Sequence, residues 1–544
     1  MTTEQWVDAF ASAELTADEA RLVKVDGKRI AVFRTSDGQV YAVDDRCPHE
    51  GYPLVKGGVA DCILTCKWHN FKFDLRDGAC VMGDEAVRTF PIRIARDRVE
   101  IDIADPPPEV VAAGIWLSLE GALLERKVGQ AARDVVRLLD LGVGPAELAL
   151  FAARFDARYA EYGTTHVLPA AVDLIDEAER RGGTEAALPL MQAFEMAAFA
   201  HTRRPRRPTV EPVDPGDDPN AAGARLAELV EAEDVSAAEA LLRGALRRGW
   251  GREVVEPWLY ALVCEHFLDF GHALIYQVKI FDLLERVGWE HAEELLVAHL
   301  VKIVTGTRED TLPEFNYLQE AWAGLSRKVG DVYAQAGTGE DVDTMQLADA
   351  IADGKRLVAL DSVVAALESG ASLVNVVDAL TLGACKRLLQ FDLDVDRDPT
   401  VQHGWLDVTH VLTFANALRH AVQRYQDPGI VRALLFGARF VNATRVLDAA
   451  EPVAQPAPVE DPAAFATGAW DFVLDDPVTR PIVAVHLVKV LVAAVEEYEA
   501  TGSQQPLLAA KRVLDSPIRE RNIARVTHEA IRLVKHGKVP RTLY

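Results

Sequence analysis

The sequence predicts a multidomain chain: a small all-β domain, then a large all-α region built as a helical repeat or bundle. Three observations carry this. The chain has 544 residues, too many for one hydrophobic core. Its first 105 residues read as short strands separated by turns. From Glu109 onward Ala, Leu, Glu and Arg dominate, and apolar residues recur at helical spacing.

In the β part, Arg29-Ile30-Ala31-Val32-Phe33-Arg34 is a short apolar run, followed by the turn Ser36-Asp37-Gly38-Gln39 and the strand Val40-Tyr41-Ala42-Val43. Phe90 to Ala95 and Val99 to Ile103 alternate with period two, and Pro106-Pro107-Pro108 then stops the ladder. In the helical part, Arg203 to Ala222, Gly337 to Asp341 and Glu451 to Pro462 break the periodic pattern. The expected division is residues 1–105, then helical blocks at 109–202, 221–336, 345–450 and 463–544.

The β domain carries Cys47-Pro48-His49, sixteen further residues, then Cys66-Lys67-Trp68-His69. Two such mixed pairs can hold a two-iron, two-sulfur cluster, with thiolates on one iron and imidazoles on the other. Imidazoles donate less charge, so the iron they hold is the easier one to reduce. Zinc is the competing reading, because Cys2His2 also binds zinc tetrahedrally. A zinc finger, however, pairs like ligands, whereas here each pair mixes Cys with His as C-x-H and C-x2-H.

The stretch over about residues 5–103 resembles Rieske ferredoxins and the Rieske domains of ring-hydroxylating oxygenases. The resemblance is carried by Ala42 to His49, Leu64 to His69, and Phe73-Asp74-Leu75-Arg76-Asp77-Gly78. It implies that Cys47, His49, Cys66 and His69 ligate a 2Fe-2S cluster that transfers one electron at a time. Respiratory-complex Rieske proteins add a disulfide between the ligand loops. Tyr52 and Trp68 stand in those places here; those proteins also place a serine after the second histidine pair, where Asn70, Phe71 and Lys72 follow here, and fewer hydrogen bonds to the sulfurs imply a potential toward the low end of the Rieske range.

The helical blocks look related. Thr165-His166-Val167-Leu168, Gly271-His272-Ala273-Leu274 and Thr409-His410-Val411-Leu412 echo one another, each followed 26–27 residues later by a small residue, Ala193, Ala298 or Gly437. Phe267-Leu268-Asp269-Phe270-Gly271-His272 aligns with Trp405-Leu406-Asp407-Val408-Thr409-His410, and Val297 to Lys302 echoes Val485 to Lys489. On a helix, residues three apart share a face, so Asp269 with His272 and Asp407 with His410 form two acid–histidine pairs. Carboxylate and imidazole donors from two helices suit a second, non-haem iron site. Glu195, and His299 and His486 in equally apolar helices, are further candidates. The same pairs can equally be packed core groups, or line a metal-free substrate pocket.

A net charge of −25 argues against a nucleic-acid or anionic-membrane surface. The richest apolar run, Ile482 to Val495, is interrupted by His486 and Lys489, and the N-terminus Met1 to Trp6 is not a signal peptide, so a cytoplasmic protein with no membrane partner is expected. No G-x-G-x-x-G after a strand and no Walker lysine loop is present. Electrons are therefore expected from a separate reductase, with a small-molecule substrate; the oligomeric state is not legible. Two functions stay open. One is an oxidase or oxygenase whose active site lies in the helical region and whose catalytic residues are Asp269, His272, Asp407 and His410. The other is a ferredoxin-type carrier fused to a non-catalytic helical interaction scaffold.

Overall fold

The structure, a computed structural model, describes residues 4–537 except 84, 399, 402, 479 and 519–521. It divides into two compact units, residues 1–142 and 143–544.

Among the described residues, the first unit contains three antiparallel sheets. One orders its strands Trp6–Ala11, Arg98–Asp102, Ile92–Ala95; the second Glu19–Val25, Lys28–Arg34, Val40–Asp44, Thr89–Phe90; the third Gly58–Ala60, Ile63–Thr65, Lys72–Asp74, Cys80–Met82. The period-two run from Phe90 to Ala95 does not make one strand. Phe90 pairs with Ala42 and Ile92 with Ile101, in different sheets, and the break falls at Pro91, which has no N–H for a ladder. Phe33, Val43, Leu54, Leu64, Phe73 and Val87 pack into one core, to which Cys47 and Cys66 belong.

The proline run ends the β structure and also starts a helix. Pro108 takes the first helical position of Pro108–Leu124, where its missing N–H costs nothing. This helix and Val128–Asp140 form a hairpin that clusters with the β structure, so the residues expected to open the first helical block lie in the first unit. The chemistry holding it there is ionic. Arg133 and Arg137 both reach the buried carboxylate of Glu85, and Arg137 also donates to the carbonyl of Pro48, between two of the expected cluster ligands.

The second unit is helical. Its longest elements are Leu373–Gln390, Trp405–Arg424 and Pro481–Thr501, and the helices Pro145–Tyr159, Val167–Asp173, Ala187–His201 and His272–Val287 also belong to it. Among the described residues, no helix is long and apolar enough to cross a membrane.

Candidate metal centres

The two Cys–His stretches fold into loops of the same form. In the first, the Cys47 N–H donates to the Tyr52 carbonyl (3.0 Å) and the Gly51 N–H returns to the Cys47 carbonyl (2.8 Å). In the second, the Cys66 N–H donates to the Phe71 carbonyl (2.8 Å) and the Asn70 N–H to the Cys66 carbonyl (3.1 Å). The fourth residue after each cysteine must turn left-handed, and Gly51 and Asn70, residue types that tolerate this, stand there with φ of 73° and 63°. Each loop thus buries its cysteine and presents its histidine. The Nδ1 atoms of His49 and His69 lie 3.1 Å apart, and His49 stacks on Phe71 at 4.5 Å.

Burial pushes the Cys47 thiol up to about 11, and the adjacent Cys66 sulfur adds to this. The backbone N–H groups of His49 and Glu50 donate to the Cys47 sulfur and favour its thiolate. Such donors are what a cluster sulfur needs. The donor spacing also separates the two metal readings. His49, Glu50 and His69 have donor atoms within 4.8 Å of one another, and among the described residues neither cysteine joins that group. A single tetrahedral ion would need all four donors closer together, whereas a two-iron cluster spaces its thiolate pair from its imidazole pair. At the disulfide positions of respiratory Rieske proteins, the rings of Tyr52 and Trp68 stack at 6.0 Å and 10°. Trp68 is 61% exposed and donates to Glu50.

The second unit assembles four histidines. His166 caps the helix Val167–Asp173, His272 opens His272–Val287, and His410 and His486 lie in the second turns of Trp405–Arg424 and Pro481–Thr501. Their ligand atoms lie within 4.8 Å of one another. The Nε2 atoms of His166 and His272 are 3.1 Å apart, those of His272 and His410 2.8 Å, and those of His410 and His486 3.2 Å. The rings form a closed circuit, with neighbouring centroids 4.5–4.8 Å apart and His166 lying 6.2 Å across from His410.

The His410–His486 contact is not an ordinary hydrogen bond. His410 gives its Nδ1–H to the carbonyl of Leu406 (2.5 Å) and His486 to that of Ile482 (2.6 Å), and the His272 ring bonds the backbone of Asp269. A carbonyl only accepts, so in His410 and His486 the hydrogen sits on Nδ1 and Nε2 turns a lone pair inward. Burial, and then the neighbouring histidines and Lys489, hold His166 and His410 well below the usual imidazole range; burial, Lys489 and Lys302 do the same for His272, and burial with Lys489 holds His486 at about 3. Neutral lone pairs facing one another repel unless a cation lies between them. Metal–imidazole bonds of about 2.0–2.1 Å put ligands at right angles about 3 Å apart, as these are. Lys489, one turn beyond His486, is 3% exposed. Its Nζ has no hydrogen-bond partner among the described residues, and burial lowers it to about 8.

Of the residues expected in this site, His272 and His410 meet there and Asp269 and Asp407 do not. The helix begins at His272, and Asp269, Phe270 and Gly271 are all left-handed, with φ of 46°, 56° and 82°. The helical-face argument therefore fails. Asp269 turns to the Lys302 ammonium (2.5 Å) and the Thr307 N–H (2.8 Å). Asp407 is spent on its own helix start, accepting from the Gly404 N–H at 2.8 Å and facing His403. Glu195 does not join the group, and His299 faces Gln277 instead. His166 and His486 complete the site. Their signal in the sequence was the histidine shared by the repeat and, for His486, its apolar flanks.

A cavity of about 450 Å³ opens on this group, walled by His166, His272, Tyr276, Phe270, His201 and Lys302 among others.

An antiparallel β domain with two Cys–His loops of one form is the architecture of an iron–sulfur electron carrier. Residues 5–92 match the family described as the Rieske 2Fe-2S domain. Over 104 residues the chain is 31% identical to the ferredoxin component of the naphthalene 1,2-dioxygenase system of Pseudomonas aeruginosa, covering 19% of this chain and 99% of that one. It is 36% identical to the anthranilate 1,2-dioxygenase ferredoxin subunit of Burkholderia cepacia over 19% of this chain and 95% of the relative. With cholesterol 7-desaturase of Hemicentrotus pulcherrimus the likeness, 37%, spans 14% of this chain and 16% of that protein. The chain belongs to the Rieske family through this N-terminal domain, which implies a 2Fe-2S cluster; the helical region has no family match.

Proposed function

We propose that this chain is an oxidoreductase of oxidase or oxygenase type, in which Cys47, His49, Cys66 and His69 hold the 2Fe-2S cluster and His166, His272, His410 and His486 hold a second metal, iron by preference. The cluster supplies electrons one at a time. The observation that carries the reading is the convergence of four Nε2 atoms at a place where, among the described residues, no carboxylate joins the group. Four neutral imidazoles suit iron, copper, nickel or zinc, and the cluster's electron supply favours a redox metal. Their near-square circuit leaves positions open on either side for ligands. A dication near the buried Lys489 would concentrate positive charge there, so an anionic ligand fits the site.

The cavity beside His166 and His272 is the substrate chamber in this reading, and its volume lies in the range of small-molecule pockets. A separate reductase loads the cluster, as in the dioxygenase systems whose ferredoxins this domain resembles. The test is a reduced-cluster experiment under oxygen. Wild-type protein, chemically reduced, reoxidises with substrate-dependent oxygen uptake. Replacing His410 by Ala removes that uptake and leaves the cluster spectrum in place. Equal uptake in both supports the carrier fused to a scaffold instead.

A further inference from the structure

The same cavity holds a second set of groups that the metal does not use. His201, the last residue of the helix Ala187–His201, is 2% exposed and lines the cavity. Its Nε2 lies 2.7 Å from Asp156 Oδ1. Asp156 is fully buried and also accepts from the Thr164 hydroxyl (2.7 Å), the Thr165 N–H (2.7 Å) and the Thr165 hydroxyl (2.6 Å). With so many donors on it, the carboxylate accepts and the imidazole Nε2 donates. The other ring nitrogen, Nδ1, then carries a lone pair. The ring lines the cavity although it is almost wholly enclosed. A helix C-terminus also favours a cation at this end.

From this geometry we infer that His201, oriented by Asp156, is the proton-accepting residue of the cavity and that its substrate group is a weakly acidic O–H, a phenol or enol. The inference rests on the reading of this cavity as the substrate chamber of the four-histidine centre. The substrate O–H bond breaks and an Nδ1–H bond forms. The electron pair stays on the substrate oxygen, and the imidazolium is held by the Asp156 carboxylate. No electrons are exchanged in this step, and it leaves an oxyanion beside a site that fits an anion. Asp156 has a further duty, because Thr164 and Thr165 immediately precede His166. The discriminating substitution is therefore at His201.

The probe is 4-nitrophenol, which is yellow only as the phenolate, titrated into the full-length protein at a pH below the dye's own pKa. Wild type is expected to bind it as the yellow form. His201→Gln is expected to lose that form with iron content and cluster spectrum unchanged. His410→Ala, stripped of the second metal, is expected to keep it. Should His201→Gln not fold, wild type still decides: it should bind 4-nitroanisole, which has no O–H, far more weakly than the phenol. The assignment is overturned if wild type leaves the dye neutral, if His201→Gln ionises it as well as wild type, if His410→Ala loses the yellow form with its metal, or if the anisole binds as tightly. Failure of the four-histidine reading shows separately, as unchanged metal content in His410→Ala.

Discussion

Gly271 is where a single added methyl group tests how the four-histidine centre is built. It stands immediately before His272 with φ of +82°, and a Cβ there would lie 2.3 Å from the ring of Phe414. Phe414 is one turn beyond His410 on the same helix and is packed against Phe267 and Phe440, so the ring has nowhere to retreat. Gly271→Ala should cost about 1–2 kcal/mol for the left-handed backbone. Overpacking adds about 1–3 kcal/mol. Gly249 supplies the control. Its φ is +90° and nothing lies within 4 Å of its would-be Cβ, so Gly249→Ala should carry the backbone cost alone. Urea unfolding followed by far-ultraviolet circular dichroism reports the helical unit. The two variants should differ by about 1–3 kcal/mol, the overpacking share. Gly271→Ala should also lose metal from the helical unit while its Rieske spectrum stays intact. Equal unfolding energies in the two variants, with full metal in both, would refute the packing argument.

Other outcomes follow from the same geometry. Glu85→Ala leaves Arg133 and Arg137 without their shared carboxylate; because both guanidinium groups are about a third exposed, the loss should be about 1–2 kcal/mol, read from thermal bleaching of the cluster's visible absorbance. A fragment of residues 1–142 should keep the cluster to a higher temperature than a fragment of residues 1–105, since the shorter one lacks both arginines and the Arg137 bond to Pro48; identical melting would place the boundary at the proline run. Burial holds His299 at about 3, below its unfolded value, so its contribution to stability is complete above about pH 6.5 and is lost as pH falls toward 3. The loss is roughly 2 kcal/mol at pH 5. His299→Gln should flatten that part of the acid limb in a series of thermal melts, and an unchanged limb would assign the acid sensitivity elsewhere.

The cluster loops were legible because metal ligation fixes residue types over a few positions. Cys47 to His49 and Cys66 to His69 announce themselves without any tertiary contact. The helical centre was half legible. A histidine repeated at equivalent places, in His166, His272 and His410, is a pattern that survives in one dimension, and the structure brings these together with His486. The acid partners were misread because helical periodicity was extended one turn too far. Nothing in Leu-Asp-Phe-Gly-His announces three consecutive left-handed residues, a conformation that Phe270 adopts against its own preference. That turn is held from outside, by Lys302, Thr307 and Glu309, residues distant in sequence. Asp407 was lost to a local competitor, the open N–H groups at its own helix start. The dyad of Asp156 and His201 was not legible at all, since 45 residues separate its members.

The central claim is that this Rieske chain carries a second metal in a four-histidine site. Metal content per chain by mass spectrometry, measured on wild type and on the double variant His272→Ala with His410→Ala, tests it most directly. Wild type should hold one metal ion beyond the cluster's two irons, lost in the variant while the low-average-g resonance of the reduced cluster persists. Cluster iron alone in wild type, with no other metal taken up when iron is supplied, would contradict it.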